Sequence, residues 1–361
     1  MNHDVASDPS PHARAADPGP APGRQHGNPP SAIVATLGHL PLLDGWRAAS
    51  ILSVLAGHLL PIGPSRWELN AAVAMSGMAI FFCLSGFLIT QLLLQDQRIG
   101  AFLIRRLARI LPLAWLAMGL LAVIPANRGL LLENLVFLAN LPPVHLMEGG
   151  NHLWSLCVEV QFYVTVAVIV GLLGRRGLYL LPLLALAVTA LRIAAGEPHS
   201  IVTWHRVDEI LAGATLSLLV HRYRPGAVRL PVPGWSVLVL WVLLLGASHP
   251  AAGALLYARP YIAAAAVGVS LYASPGWFRT LLSSTPARYV AQISYALYVI
   301  HGVLGVTWLG GEEVGKVERY LRRPLLIGAT FALAHVSTFQ YESRWIALGK
   351  RLAGRPSGAP A

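Results

Sequence analysis

The sequence is poor in charged residues and in cysteine. Only 12% of its 361 residues are Asp, Glu, Lys or Arg, whereas a soluble globular domain carries about 25%. This shortage excludes a chain whose main solvent is water. The only two cysteines, Cys83 and Cys157, lie in or beside apolar segments. They indicate neither a disulfide framework nor a zinc site, and we predict no bound metal.

Apolar residues take the place of charge and make up 55% of the chain. Apolar runs of about 17 to 25 residues, long enough to cross a hydrocarbon core of about 30 Å, recur from Leu42 almost to the C-terminus. We therefore predict an all-α polytopic membrane protein with about ten transmembrane helices. The predicted spans are residues 42–61, 71–95, 107–124, 157–173, 178–195, 207–221, 234–248, 255–274, 289–309 and 324–346. The shorter apolar stretch 130–141 is predicted to be interfacial or re-entrant.

The flanking segments and the basic loops predict the topology. Residues 1–38 are expected to be a disordered cytoplasmic tail, residues 39–349 a transmembrane domain, and residues 350–361 a short cytoplasmic tail. Arginines follow every even-numbered span, and basic residues are retained on the cytoplasmic side. The formal net charge of +11 is therefore explained by topology, so we predict a lipid bilayer and no nucleic acid as partner.

Ionisable side chains in the first span are the strongest functional signal. Each such group costs about 2.5 to 3.5 kcal/mol within a span and needs a reason. The segment LDGWRAASILSVLAGHL holds Asp44, Arg47 and His58. Arg47 and His58 are separated by about 16 Å of helical rise and about 20° of rotation, so they share one face. This favours a pathway for an elongated anionic substrate; the alternatives are a packed histidine and a snorkelling arginine.

The ninth span places a second histidine at depth. In ISYALYVIHGVL, the residues Ser294, Tyr298 and His301 fall at i, i+4 and i+7 and form one polar stripe. His301 lies about 18 Å from the start of this span, a depth comparable to that of His58. We therefore expect both histidines to line one cavity. The alternative is that Tyr298 and His301 only form interhelical hydrogen bonds.

Two further groups of charged residues admit two interpretations each. Arg105 and Arg109 lie one helical turn apart, so they fit either the retention of basic residues in the cytoplasm or the binding of phosphates by planar guanidinium groups. Glu159, near the outer end of the fourth span, requires a partner or a proton. The neighbouring charges Arg206, Asp208 and Glu209 are typical of structural pairing.

Six segments in order resemble the acyltransferase 3 family of bacterial membrane O-acyltransferases, which modify mostly sugars. The resemblance covers residues 42–352. The first span resembles the family's opening span, whose hallmark is an Arg and a His separated by ten residues. FFCLSGFLITQLLL is similar to the second span, and RRLAR to the arginine motif. WSLCVEVQFY, ISYALYVIH and FQYESRW resemble later signatures. Ala79 and Val160 stand where many members carry acidic residues.

The resemblance implies an enzyme of the bacterial inner membrane with both termini cytoplasmic. It would transfer an acyl group, most simply acetyl from acetyl-CoA, to a hydroxyl of a carbohydrate or glycosylated acceptor, with acyl-CoA as donor substrate and no bound cofactor. His58 is the candidate general base, because imidazole titrates near neutral pH. The candidate residues are His58, Glu159 and His301 for catalysis, Arg47, Arg105 and Arg109 for the donor, and Asp44, Tyr298 and Ser85 for the acceptor or for support.

Two other functions fit the same residues. Buried His, Arg and Glu side chains also describe a proton-coupled transporter of a carbohydrate or other small molecule, although no internal repeat is visible. An intramembrane hydrolase would pair Ser85 with a histidine. Some members of the family also carry a C-terminal hydrolase-like domain, which we do not expect in this chain.

Overall fold

The structure is a computed structural model that describes residues 41–223, 225, 232–274, 276–311 and 315–354. The predicted N-terminal tail lies outside the described residues, as does most of the predicted C-terminal tail. Helices joined by short loops account for the described part, which contains no β-strand. The all-α prediction is therefore confirmed.

The described part contains thirteen α-helices. They are α1 (Pro41–Leu59), α2 (Leu69–Gln95), α3 (Ile99–Leu121), α4 (Leu131–Leu135), α5 (Trp154–Leu173), α6 (Leu181–Ala195), α7 (Asp208–Arg222), α8 (Trp235–Ala247), α9 (Arg259–Tyr272), α10 (Trp277–Leu282), α11 (Thr285–Gly305), α12 (Lys316–Val336) and α13 (Ser343–Leu352). A π-helical segment, Ser337–Glu342, joins α12 to α13.

Each of the ten predicted apolar segments overlaps one of these helices. The largest differences lie at α3 and α12, which begin about two turns before the predicted spans. Both extra stretches end in two consecutive arginines, Arg105–Arg106 and Arg322–Arg323, which interrupt the apolar pattern although the helix continues through them. The stretch 130–141 forms the short helix α4 and irregular turns.

Two helical stretches of the described residues are long and apolar enough to cross a membrane. They are Leu69–Gln95 and Asn151–Ala195, and the shorter helix Trp235–Ala247 is also apolar. A buried core helix of a soluble protein would meet the same criterion for length and composition. These stretches are compatible with membrane insertion and do not by themselves establish ten spans.

Helix α2 lies at the centre of the packing and contacts α1, α7 and α9. Its contact with α7 depends on two glycines. A Cβ atom on Gly86 would lie 1.8 Å from the carbonyl oxygen of Ile210, and one on Gly213 would lie 1.9 Å from that of Cys83. The two backbones therefore touch directly, as small residues permit between membrane helices. Helix α1 also packs against α11, and α3 packs against α13.

Five fully buried charged residues tie α6, α7 and α9 together, and we name them the ion-pair cluster. The members are Arg192, Arg206, Asp208, Glu209 and Arg259, each with 0% of the residue exposed. Arg192 pairs with Asp208. Glu209 accepts from Nε of Arg259 at 2.7 Å and lies 3.4 Å from Nη2 of Arg206. The expected pairing of neighbouring charges is present, together with two distant partners that the sequence did not reveal.

Candidate active site

A large cavity with several polar residues in its walls lies where α1, α11 and α12 meet the loop before α5. It has a volume of about 730 Å3. We name it the histidine cavity, and its polar walls include His58, His152, Tyr298, His301, Arg319 and Arg323. The prediction that His58 and His301 line one cavity is confirmed.

The two predicted histidines are hydrogen-bonded to each other. Nδ1 of His58 lies 2.9 Å from Nε2 of His301, and Nδ1 of His301 lies 3.2 Å from the carbonyl oxygen of Leu297. A carbonyl oxygen only accepts, so in the neutral ring Nδ1 of His301 carries the proton and Nε2 accepts from His58. Nε2 of His58 is then left with its lone pair. His58 is exposed to the cavity, whereas His301 is buried.

A third histidine, His152, packs beside this pair. Its ring centroid lies 4.6 Å from that of His301, and its Nε2 lies 3.3 Å from the carbonyl oxygen of Val299. Gly302 permits this approach, because a Cβ atom there would lie 2.0 Å from the His152 ring. Tyr298 donates to the backbone carbonyl of His152, and its hydroxyl lies 2.6 Å from Oγ of Ser155. The Tyr298 hydroxyl therefore links α11 by hydrogen bonds to the start of α5 and to the loop before it.

A second, smaller cavity lies between α1, α2, α3, α5 and α11. Its volume is about 60 Å3. We name it the arginine cavity, and its polar walls include Arg47, Ser85, Arg106, Arg109, Glu159 and Tyr163. Three guanidinium groups thus surround one carboxylate, which gives the walls an excess of positive charge.

Glu159 is held by two hydroxyl groups. Its Oε1 accepts from Ser85 Oγ at 2.5 Å and from Tyr163 OH at 2.6 Å. Glu159 is buried on α5 but lies in the wall of the arginine cavity, apart from the histidine cavity. The hydrogen-bond partner of Ser85 is therefore a carboxylate, and the Ser–His pair required by the hydrolase alternative is absent among the described residues.

A narrow gap of about 10 Å3 lies between the two cavities. It shares Arg47, Phe81 and Ser294 with the arginine cavity and Met78 and Tyr298 with the histidine cavity. Three of its lining residues, Arg47, Ile51 and Val54, continue towards His58 along α1. The shared face of Arg47 and His58 is therefore found as predicted, with each residue in the wall of a different cavity.

The structure separates Arg105 from the other two predicted donor residues. Arg47 and Arg109 line the arginine cavity, but the third guanidinium group there belongs to Arg106. Arg105 instead contacts Asp96 at 3.3 Å. The side chain of Arg98 also binds Asp96 and lowers the pKa of this carboxyl to about 2. Oδ1 of Asp44 lies 4.0 Å from Nη1 of Arg47.

Sequence reasoning missed His152, Arg106, Arg319 and Arg323. Arg106 and Arg109 are spaced i, i+3, which is as compatible with a shared helix face as the i, i+4 spacing of Arg105 and Arg109. His152 precedes a recognisable segment, but only the tertiary fold brings it to α11. No group of three or more metal-ligating side chains occurs among the described residues.

Residues 40–337 match the family of the acyltransferase domain. The match covers most of the chain. It includes four of the candidate residues, namely Arg47, His58, Glu159 and His301. The chain belongs to this acyltransferase family.

Two curated relatives of the acyltransferase are bacterial. The "Putative peptidoglycan O-acetyltransferase YrhL" of Bacillus subtilis strain 168 is 27% identical over 77% of this chain and 50% of the relative. Peptidoglycan O-acetyltransferase OatA of Listeria monocytogenes is 24% identical over 83% of this chain and 54% of the relative. The acyltransferase thus spans about half the length of these relatives. No solved structure matches it.

Proposed function

We propose that this acyltransferase moves an acyl group, most simply acetyl, from acyl-CoA to a hydroxyl of a glycan bound in the histidine cavity. The observation that carries the proposal is the His58–His301 pair, which leaves Nε2 of His58 as a proton acceptor in the cavity wall. Family membership supports acyl transfer, and the names of the two relatives support a glycan acceptor such as peptidoglycan.

The reaction requires one base and one acid, and one imidazole can supply both. Nε2 of His58 takes the proton of the acceptor hydroxyl while its oxygen attacks the thioester carbonyl carbon. The new C–O bond forms and the C–S bond breaks. The imidazolium then returns the proton to the departing thiolate. His301 accepts from Nδ1 of His58 throughout and so holds the ring in the productive tautomer.

The arginine cavity is suited to the donor's phosphates. Guanidinium groups bind phosphate through paired, charge-assisted hydrogen bonds, and here three of them face one carboxylate. From this position the pantetheine arm would extend along α1 towards His58, over about 16 Å of helical rise. The gap between the cavities is only about 10 Å3, so Phe81 and Met78 would have to turn aside. Arg105 contacts Asp96 and does not line this cavity, so it would contribute less to donor binding than Arg47, Arg106 and Arg109.

The apolar surface of the helices supports a location in the bacterial inner membrane. Helix α8 exposes Trp235, Val239 and Val242 by 63%, 52% and 60%, and soluble monomers rarely expose large apolar patches.

We propose a multi-pass topology with both termini in the cytoplasm. Impermeant maleimide should then label Ser65→Cys from outside intact cells and should not label Gln97→Cys, two exposed loop positions on opposite ends of α2. Labelling of both or of neither would contradict this orientation.

Release of free CoA by purified protein in detergent tests the proposed reaction. Acetyl-CoA and peptidoglycan glycan strands should together give thiol release and acetylated glycan, and His58→Ala should abolish both. His145→Ala is the matched control, because this histidine pairs with Glu133 and does not line the histidine cavity. Wild-type protein that neither binds nor consumes acyl-CoA would contradict the proposal.

Family membership does not favour the transporter alternative, which would need no donor thioester.

A further inference from the structure

Two arginines of α12 line the same cavity as His58. Arg319 and Arg323 are four residues apart, so they lie one turn apart on one face of the helix. The reaction proposed above uses neither of them. The two arginines precede the apolar run of the last predicted span, so no local pattern in the sequence indicates a role for them.

One nitrogen of the Arg323 side chain forms hydrogen bonds with the C-terminal end of α1. Its Nη1 donates to the carbonyl oxygens of His58 at 3.1 Å and of Leu59 at 2.8 Å. These contacts satisfy acceptors at a helix C-terminus, where a cation is also favourable. Its Nε is buried and has no hydrogen-bond partner among the described residues. The guanidinium group is thus held beside the backbone of His58 with further donor capacity.

Charge in the described walls of the histidine cavity is predominantly positive. Arg319 and Arg323 face a single acidic residue, Glu148, which is exposed. The hydrogen-bonded arrangement described above for neutral His58 and His301 adds no charge to these walls. Arg319 donates from Nε to the carbonyl oxygen of Gly311 at 3.0 Å. The adjacent residue, Arg322, lies outside the cavity wall, where it pairs with Glu318 and donates to the carbonyl oxygen of Trp308. The positive excess therefore belongs to the cavity and not to the whole segment.

We propose that Arg319 and Arg323 bind an anionic group of the acceptor glycan, a carboxylate or a phosphate, on the same sugar as the acylated hydroxyl or on its neighbour. The proposal rests on the proposed function, because it assigns the substrate class of that same cavity. Planar guanidinium groups bind both anions in a bidentate manner. Since Arg323 contacts the backbone of His58, an anion held there lies beside the base and fixes which hydroxyl meets it.

Equilibrium binding of three tetrasaccharides to the purified full chain tests this assignment. The probes are neutral chitotetraose, an alternating N-acetylglucosamine–N-acetylmuramic acid tetrasaccharide that carries lactyl carboxylates, and chitotetraose 1-phosphate. We expect at least one anionic probe to bind about tenfold more tightly than the neutral one. The tighter of the two anionic probes identifies carboxylate or phosphate as the natural group.

Variants separate recognition of the anion from capping of α1. Arg319→Gln together with Arg323→Gln should remove the preference for the anionic probe, and Arg322→Gln should retain it. Arg319→Gln alone leaves the contacts of Arg323 with α1 intact, so it remains informative if the double variant does not fold. It should lower the preference severalfold.

Two results would overturn the assignment. One is equal binding of all three probes by the wild type, including no binding of any. The other is an equal loss of neutral and anionic binding in the variants, which would restrict Arg323 to capping α1. Thiol release from acetyl-CoA is measured in parallel, so that failure of acyl transfer itself is recognised separately.

Discussion

Two groups of arginines in this molecule, one fully buried and one half-buried, are arranged in opposite ways. In the ion-pair cluster, three arginines surround two carboxylates in direct contact, and every member is inaccessible to solvent. In the arginine cavity, three arginines surround one carboxylate, whose Oε1 is already bonded to two hydroxyl groups. The members of the first group contact one another, whereas the second group lines a cavity of about 60 Å3.

The difference in charge balance and exposure between the two groups distinguishes a structural role for a charged residue from a functional role. A buried charge is tolerated when a partner offsets its desolvation, and such a pair mainly fixes the positions of the helices that carry it. Charges of one sign around a cavity lack that compensation and are retained for a ligand of opposite sign. The ion-pair cluster should therefore determine stability, and the two cavities should determine activity.

The largest expected effect is on stability and falls on the ion-pair cluster. Glu209→Gln leaves Arg206 and Arg259 buried without their shared carboxylate and should lower the free energy of unfolding by about 3 to 5 kcal/mol. Thermal unfolding in detergent measures this loss. Glu318→Gln is the control, since its partner Arg322 lies at the surface. A similar small shift for both variants would show that the buried cluster is not structural.

The second effect is on turnover and falls on the histidine cavity. His301→Phe removes the acceptor for Nδ1 of His58, so both tautomers of the base become accessible and kcat should fall about 100-fold. His301→Gln retains an acceptor oxygen and should recover part of the loss. The KM for acyl-CoA should remain unchanged in both variants. A wild-type kcat and pH profile in His301→Phe would exclude a positioning role.

The third effect compares two neighbouring arginines of α3. Arg109→Gln removes a guanidinium group from the arginine cavity and should raise the KM for acyl-CoA about tenfold, because a hydrogen bond to a charged group contributes about 1.5 to 3 kcal/mol. Arg105→Gln removes only the contact with Asp96 and should change KM less. Equal effects would place Arg105 on the path of the donor, as the sequence predicts. Steady-state kinetics with varied acyl-CoA decides between them.

The smallest effect concerns Asp96, outside the predicted spans. The Arg98 side chain lowers the pKa of Asp96 from 3.8 to about 2, so the ionised carboxylate stabilises the fold above pH 3.8 and this contribution is lost as the pH falls towards 2. The pair is partly exposed, so Asp96→Asn should cost less than about 1 kcal/mol at pH 7. Comparison of unfolding at pH 7 and pH 3 should show a smaller difference between variant and wild type at the lower pH.

Much of the fold could be predicted because it depends on local pattern. The first apolar run, 42–61, corresponds to α1 at Pro41–Leu59, and the second, 71–95, to α2 at Leu69–Gln95. The meeting of His58 and His301 could also be predicted, since both lie on regular helices at similar depth. Helical rise alone gives that depth.

The remainder depends on tertiary contacts that no local pattern contains. Spacing alone could not decide between Arg105 and Arg106, because both share a helix face with Arg109. The loop that carries His152 is joined to α11 by tertiary hydrogen bonds of Tyr298 and of His152 itself. The sequence predicts that Glu159 needs a partner but does not identify it, since the partner of a buried carboxylate is set by the helices that pack around it.

The glycine contact between α2 and α7 has a consequence for efforts to change acceptor choice by protein engineering. Gly86 and Gly213 leave no side chain at the crossing that repacking could adjust, so even an alanine would push the two backbones apart. That displacement would move Ser85, next to Gly86, and Glu209 on α7 at once. Libraries should therefore keep this crossing fixed and vary the walls of the histidine cavity, where Met75, Leu146 and Ile201 offer replaceable side chains.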